Sequence, residues 1–298
     1  MNSGDSTIIV HSYAKVNLTL NVLGGRPDGY HAIESVMQSI SLHDTLTLRL
    51  GNEPCIRISC DMPGIPTDER NLAYKAASLF FDRLGIAPAL DIRIEKRIPP
   101  EAGLGGGSSN AAAVLRALGS ERSASSVQRS ALLAMAGQIG SDVPFFLVGG
   151  TALVRGRGEE VEPLPDIRPW WLAIVKPPFG VSTAWAYGRL DEMRQAVSEL
   201  QSGSERMVKC IERQGCQQLP ELLSNDLELP SVEQHPEIAE IKNALTKAGA
   251  KAALMCGSGS AVFGLFDSED MASRAADIMD NYGQVFAERT ITREEALS

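Results

Sequence analysis

No apolar run in this chain is long enough to cross a bilayer. The longest, 131–136 and 145–148, fall far short of the roughly 20 residues a spanning helix needs. The first seven residues are polar and lack the basic-then-apolar signature of a secretory signal. Basic charge is scarce too: 28 Lys and Arg stand against 37 Asp and Glu, and a net charge of −9 argues against a general nucleic-acid surface. Cysteine is sparse and unpatterned, with five residues in which Cys55/Cys60 and Cys210/Cys216 lack zinc-ligand spacing. These absences lead us to expect reduced thiols in a cytoplasmic protein with a small-molecule partner and neither a membrane nor a nucleic acid. They give nothing on oligomeric state. An anionic ligand would have to be held locally, by loop amides, a helix end and a few lysines.

What is present centres on residues 99–118, P-P-E-A-G-L-G-G-G-S-S-N-A-A-A-V-L-R-A-L. Gly103, Gly105, Gly106 and Gly107 fall within five positions and run into an Ala/Leu segment with helical character. Glycine admits positive φ and lets main-chain N–H groups approach a ligand closely. Ser108, Ser109 or Asn110 is expected to cap the helix, whose first amides are free and whose dipole favours an anion. A glycine loop feeding a helix N-terminus is a phosphate cradle; the alternative is a flexible turn before a buried helix. Two familiar phosphate loops are excluded. No lysine stands where G-x-x-x-x-G-K-[ST] requires one, and G-x-G-x-x-G ends on Ser108 from Gly103 or on Asn110 from Gly105.

The spacing P-x-x-x-G-L-G-G-G-S-S before a helix resembles the loop of the GHMP kinases, the galactokinase, homoserine kinase and mevalonate kinase superfamily. Three further segments resemble one branch of it, the 4-diphosphocytidyl-2-C-methyl-D-erythritol kinases. They are Ala14-Lys15-Val16-Asn17-Leu18 with Gly25-Arg26-Pro27-Asp28-Gly29-Tyr30-His31, then Ile139-Gly140-Ser141-Asp142-Val143-Pro144-Phe145-Phe146, then Met255-Cys256-Gly257-Ser258-Gly259-Ser260-Ala261-Val262-Phe263. Cys256, Ser260 and Glu101 depart from the usual residues of that branch, which bears on affinity more than on activity.

Along the chain, residues 8–23, 45–50 and 55–60 read as strands, 71–84 as a helix stopped at Gly85, and 90–98 as a strand delivering the chain into the loop. Helices are expected at 108–118, 126–139 and 142–146, then a strand at 150–155. Pro163, Pro165 and Pro169 mark a linker. Beyond it come a strand at 170–175, a helix at 183–190, a polar helical stretch at 192–215, a helix at 236–248, strands at 252–256 and 261–266, a helix at 271–281 and a last strand. That β-α-β-β-α-β order is the ferredoxin-like pattern. At 298 residues two abutting domains are the default, 1–163 and 164–298. The fold class is therefore α+β. The resemblance implies a two-domain GHMP-kinase-like fold, with an N-terminal half like domain 2 of ribosomal protein S5 and the nucleotide loop between the halves.

Phosphoryl transfer to an alcohol needs a positioned phosphate, neutralised charge and a carboxylate within reach of the hydroxyl. Asp142, at the start of a short helix, serves equally well as an N-terminal cap on the residues alone; the resemblance makes it the catalytic base. Lys15, between Ala14 and Val16, is either a snorkelling surface lysine or a functional cation; the resemblance makes it the catalytic lysine beside Asp142. Asn17, on the same strand face, would then bond substrate. The resemblance further implies that His31 reads the edge of a cytosine, with Tyr30 nearby, and that Tyr187 stacks on it. It places Asn71 and Lys96 near the adenosine of ATP. Pro100, Glu101, Ala102, Gly103, Leu104, Gly105, Gly106, Gly107, Ser108, Ser109 and Asn110 form the phosphate loop, and Gly257, Ser258 and Gly259 lie near the transferred group or the substrate. ATP brings Mg²⁺, to which Ser108 or Ser109 is a possible ligand; its protein ligands stay open. Two rivals stand beside this reading. One is a GHMP kinase for another alcohol, such as homoserine or mevalonate, which would need no cytidine clamp. The other is a nucleotide-binding regulator without turnover, which loss of the Lys/Asp pair would favour.

Overall fold

The computed structural model describes residues 7–51, 53–121, 127–194, 203–213 and 217–298. Its first half is a mixed sheet with helices on one side. Strand β1 (Thr7–Gly25) pairs antiparallel along its length with β2 (His31–Leu50), and β3 (Ile56–Cys60) lies parallel to β4 (Leu90–Glu95). Between these two comes helix α1 (Leu72–Leu84), capped by Asn71, whose side chain accepts from the Ala73 amide, and closed by Gly85 in the left-handed region. Helices α2 (Gly106–Glu121), α3 (Arg129–Ile139) and α4 (Val143–Val148) follow, then the antiparallel pair β5 (Thr151–Gly156) and β6 (Glu160–Pro163). The last part of β2 pairs with β4 and its first part with β5.

The second half opens with β7 (Trp171–Lys176), α5 (Thr183–Arg194) and α6 (Gly203–Glu212). Then come the two-residue strand β8 (Ser224–Asn225), α7 (Glu228–Gln234), α8 (Glu237–Lys247), β9 (Ala252–Met255) and β10 (Val262–Phe266). It ends with α9 (Glu269–Met279), β11 (Gln284–Arg289) and α10 (Arg293–Leu297). The sheet order β11-β7-β10-β9 places the four strands as fourth, first, third and second in sequence, so the ferredoxin-like expectation holds.

The halves share one body. Ala14, Val16 and Leu18 of β1 and Val36 and Ile40 of β2 pack in a single core with Leu172 and Ile174 of β7 and Phe263 and Leu265 of β10. Strand β8 adds in parallel to β1 as an outer strand of the first sheet, and α10 packs against α4. At one place β2 bulges: Tyr13 faces His43 and Lys15 faces Ser39, so Ile40, Ser41 and Leu42 oppose Ala14 alone. Ile40 uses the detour to bridge Thr290, and the Ser41 hydroxyl accepts from the Arg289 amide.

Several expectations are corrected here. Residues 31–44 form the first two-thirds of β2, a strand the spacing does not announce. Strand β4 stops at Glu95, because the Arg97 and Ile98 amides turn inward to the Asp44 carboxylate. Helix α2 starts at Gly106, two residues early: Gly105 has φ +73° and its carbonyl accepts the Ser109 amide, so Gly105 takes the capping position. Ser108 and Ser109 therefore stand in the first turn and Asn110 just beyond it, and none of them takes the capping position. The expected polar helix at 192–215 resolves into the end of α5 and α6, and its residues 195–202 and 214–215 lie outside the described residues, as does the start of the helix expected at 126. Cys55, Cys60 and Cys256 are free thiols, but Cys210 is disulfide-bonded. Reduced thiols throughout is thus corrected at Cys210, since spacing along the chain carries no distance between sulfurs.

Candidate active site

A cavity of about 830 Å³ opens between the phosphate loop, the β1 strand, the start of α5 and the turn after β9. Every candidate residue named from the sequence lines it except Ser109, Tyr30 and His31.

The loop is fastened by its backbone to both halves. The Lys15 amide donates to the Leu104 carbonyl at 3.0 Å, while the Ser260 and Ala261 amides donate to the Glu101 and Ala102 carbonyls at 3.3 Å. Gly103 sits so close to the turn after β9 that a Cβ would lie 1.8 Å from the Cys256 carbonyl oxygen, and its φ of +73° disfavours side chains as well. Three consecutive residues, Gly106 to Ser108, open α2 with amides that have no partner within the helix, the arrangement that binds an anion. Ser108 faces the cavity. Ser109 does not: its hydroxyl donates to the Tyr13 carbonyl at 2.6 Å, which withdraws it from any ligand.

Lys15 and Asn17 project from one face of β1 while Ala14, Val16 and Leu18 fill the core on the other, as alternation dictates. The Lys15 ammonium is buried and donates to Asn17 Oδ1 at 2.6 Å, and Asn17 Nδ2 donates to Ser35 Oγ at 2.8 Å. Asp142 Oδ2 lies 3.6 Å from Lys15 Nζ. Asp142 occupies the residue before α4, yet its side chain makes no capping hydrogen bond, so the carboxylate is left to the lysine and the cavity. An ammonium and a carboxylate so placed can orient an alcohol, take its proton and offset charge on a phosphoryl group.

Asn71 and Lys96 line the cavity but are already engaged. Asn71 caps α1 and donates to the Pro66 carbonyl; Lys96 is buried and paired with Asp44. At the far end the His31 ring stacks on Tyr187 with centroids 4.6 Å apart, and His31 Nε2 meets Asp191 Oδ2 at 2.8 Å. Burial, with the charges of Asp142 and Asp226, raises the Tyr187 hydroxyl well above its usual range, so it stays protonated. Tyr30 stands at the surface beneath the Arg157 guanidinium, 5.2 Å from the ring centroid, and does not line the cavity. The turn after β9 is held by Asn225, whose Nδ2 donates to the Met255 and Gly257 carbonyls. Beneath it, burial pushes the Cys256 thiol up to about 12, which makes it inert at neutral pH.

Sequence reasoning missed Ile65, Pro66 and Leu72 at one end of the cavity, Gly180 to Thr183 at the other, and the supports Asp44 and Asn225. None belongs to a motif. Only the helical spacing after Thr183 marks one of these places.

Known proteins place the chain. Residues 71–150 match the GHMP kinases N terminal domain and residues 207–285 the GHMP kinases C terminal domain. A 4-diphosphocytidyl-2-C-methyl-D-erythritol kinase of Pelotomaculum thermopropionicum is 45% identical over 93% of this chain and 96% of its own. One from Geobacillus kaustophilus is 42% identical over 95% and 97%. A crystal structure of 4-(cytidine 5'-diphospho)-2C-methyl-D-erythritol kinase superposes with TM-score 0.79 at 35% identity, covering 95% of this chain and 99% of that one. The homoserine kinase of Cytophaga hutchinsonii shares the fold, with TM-score 0.73 at 19% identity over 98% of this chain and 96% of its own. By sequence over nearly its whole length and by the path of its backbone, the chain belongs to the 4-diphosphocytidyl-2-C-methyl-D-erythritol kinase family of the GHMP kinases.

Proposed function

We propose that this kinase transfers the terminal phosphoryl group of ATP to the 2-hydroxyl of 4-diphosphocytidyl-2-C-methyl-D-erythritol, a step of isoprenoid precursor biosynthesis. The observation that carries this reading is the 3.6 Å separation of Lys15 Nζ and Asp142 Oδ2 on the wall of the cavity that the phosphate loop also lines. Residues 1–163 act as the ATP-binding unit and 164–298 as the second unit, with the reaction in their shared cavity.

The acceptor oxygen attacks the γ-phosphorus in line, its proton passes to the Asp142 carboxylate, the bond from that phosphorus to the bridging oxygen breaks, and ADP leaves. Lys15, held by Asn17, offsets negative charge as the group moves. The amides of the Gly103–Ser108 segment hold the triphosphate, with Asn71 and Lys96 near the adenosine. The turn Gly257-Ser258-Gly259 closes the side nearest Lys15. Mg²⁺ would accompany ATP and neutralise phosphate charge; Ser108 lines the cavity and its hydroxyl would suit a hard cation that keeps several waters, whereas that of Ser109 is engaged elsewhere. The cytidine end is Tyr187 with His31 and Tyr30. Seating a base there requires His31 to leave the Tyr187 ring and Tyr30 to leave Arg157.

An ATP-consumption assay over a panel of alcohols tests this reading. Turnover is expected with the CDP-linked alcohol and very little with homoserine, mevalonate or galactose. Equal rates across the panel would rule out a dedicated cytidine pocket.

A further inference from the structure

Asp44, on β2, carries no role in the chemistry above, yet it is fully buried and accepts four hydrogen bonds. Its Oδ1 takes the Arg97 amide at 2.7 Å and the Ile98 amide at 2.8 Å. Its Oδ2 takes Lys96 Nζ at 2.5 Å and Asn110 Nδ2 at 2.9 Å. These donors stand on the two shoulders of the phosphate loop: residues 96–98 lead into it, and Asn110 is the fifth residue of the helix that leaves it. Asn110 Nδ2 is also 2.6 Å from Ser12 Oγ, which ties the same shoulder to β1. The Lys96 ammonium lies against the loop itself, since a Cβ on Gly106 would come within 2.9 Å of Lys96 Nζ. Among the described residues no second acceptor reaches that ammonium, which leaves N–H groups for a ligand in the cavity it lines.

A glycine-rich segment has many conformations of similar energy, and few of them converge its amides on one anion. Fixing both ends selects those few. A buried carboxylate is suited to the task because its hydrogen bonds are charge-assisted and roughly twice as strong as neutral ones. An ionised carboxylate has about four acceptor sites, and here four donors fill them.

We propose that Asp44 is a positioning residue for the donor nucleotide: it clamps both shoulders of the phosphate loop and fixes the Lys96 ammonium on the cavity wall beside the nucleotide. The inference rests on the reading of that loop as the ATP seat.

Steady-state kinetics with ATP and the alcohol varied separately provide the test, on Asp44→Asn and Asn110→Ala. The carboxamide of Asp44→Asn still accepts the Arg97 and Ile98 amides but turns a donor toward Lys96 and Asn110. Asp44→Asn is expected to raise the KM for ATP about tenfold or more, and Asn110→Ala about threefold, with the KM for the alcohol unchanged. A merely structural support would act differently: it would lower the fraction of folded enzyme, reducing apparent kcat while leaving both KM values alone. That result overturns the proposal. If Asp44→Asn does not fold, Asn110→Ala decides by the same split. Gly106→Val, which drives a side chain against Lys96, separates the inference from its foundation when titrated with a non-hydrolysable ATP analogue. Undiminished binding there brings down the ATP reading itself. Lost binding there, with an unaltered KM for ATP in both other variants, brings down only the role of Asp44.

Discussion

At the scale of single residues, the site is a matter of which side chains are left without a structural task. Asp142 occupies a capping position and makes no capping bond; Lys15 is buried with Asn17 and Asp142 as its polar company. A carboxylate with no cap to make and an ammonium nearby is equipped for proton transfer. Asp142→Asn is therefore expected to fold and bind ATP while kcat falls by about 10²-fold or more, the low end for loss of a general base. Turnover within a few-fold of the parent, measured by coupled ADP release, would reduce Asp142 to a bystander. Lys15 is conspicuous in sequence because a lysine between Ala14 and Val16 has to be accounted for. Its meeting with Asp142 is not legible that way, because the two are far apart along the chain and only the fold joins them. Asp44 is hidden more completely, since its donors lie between Lys96 and Asn110 and no local pattern connects them to it.

Among the elements, those with local causes were readable and those with distant causes were not. Helix α1 announces itself through the Asn71 cap and Gly85, both of which act within a few residues. The first part of β2 escapes notice because Ser35 to Ile40 are buried without a break, so the alternation that betrays a half-buried strand is absent. The phosphate loop is legible as a cradle, but its contact with the turn after β9 is not. That contact makes Gly103 the place to test the element. Gly103→Ala meets the Cys256 carbonyl and a left-handed backbone together, and is expected to cost at least about 2 kcal/mol. Thermal melting should fall by several degrees and nucleotide titration should show weakened binding. A variant that melts and binds like the parent would mean that the loop rests on that turn only loosely.

For the molecule as a whole, composition and length suggest two abutting domains, whereas the structure weaves them. The core around Ala14, Val16 and Leu18 is completed by Leu172, Ile174 and Phe263 from the other half, and β8 and α10 cross back to the first. Residues 1–163 expressed alone would expose that face, and are expected to fail to give a cooperative melt, while the full chain unfolds in one transition. Two separate transitions of the intact protein would contradict this. The prolines at 163, 165 and 169 run from the last residue of β6 toward β7 but say nothing about what packs across that connection. The detour of Ile40, Ser41 and Leu42 opposite Ala14 has a consequence of its own. In a pleated ribbon, removing a single residue from such a kink exchanges the inward and outward rows beyond it. The row that turns over is that of β2, which carries Ser35, the acceptor for the Asn17 amide that in turn holds Lys15, so a one-residue deletion there would take away the prop behind the ammonium while leaving every reacting group in the chain.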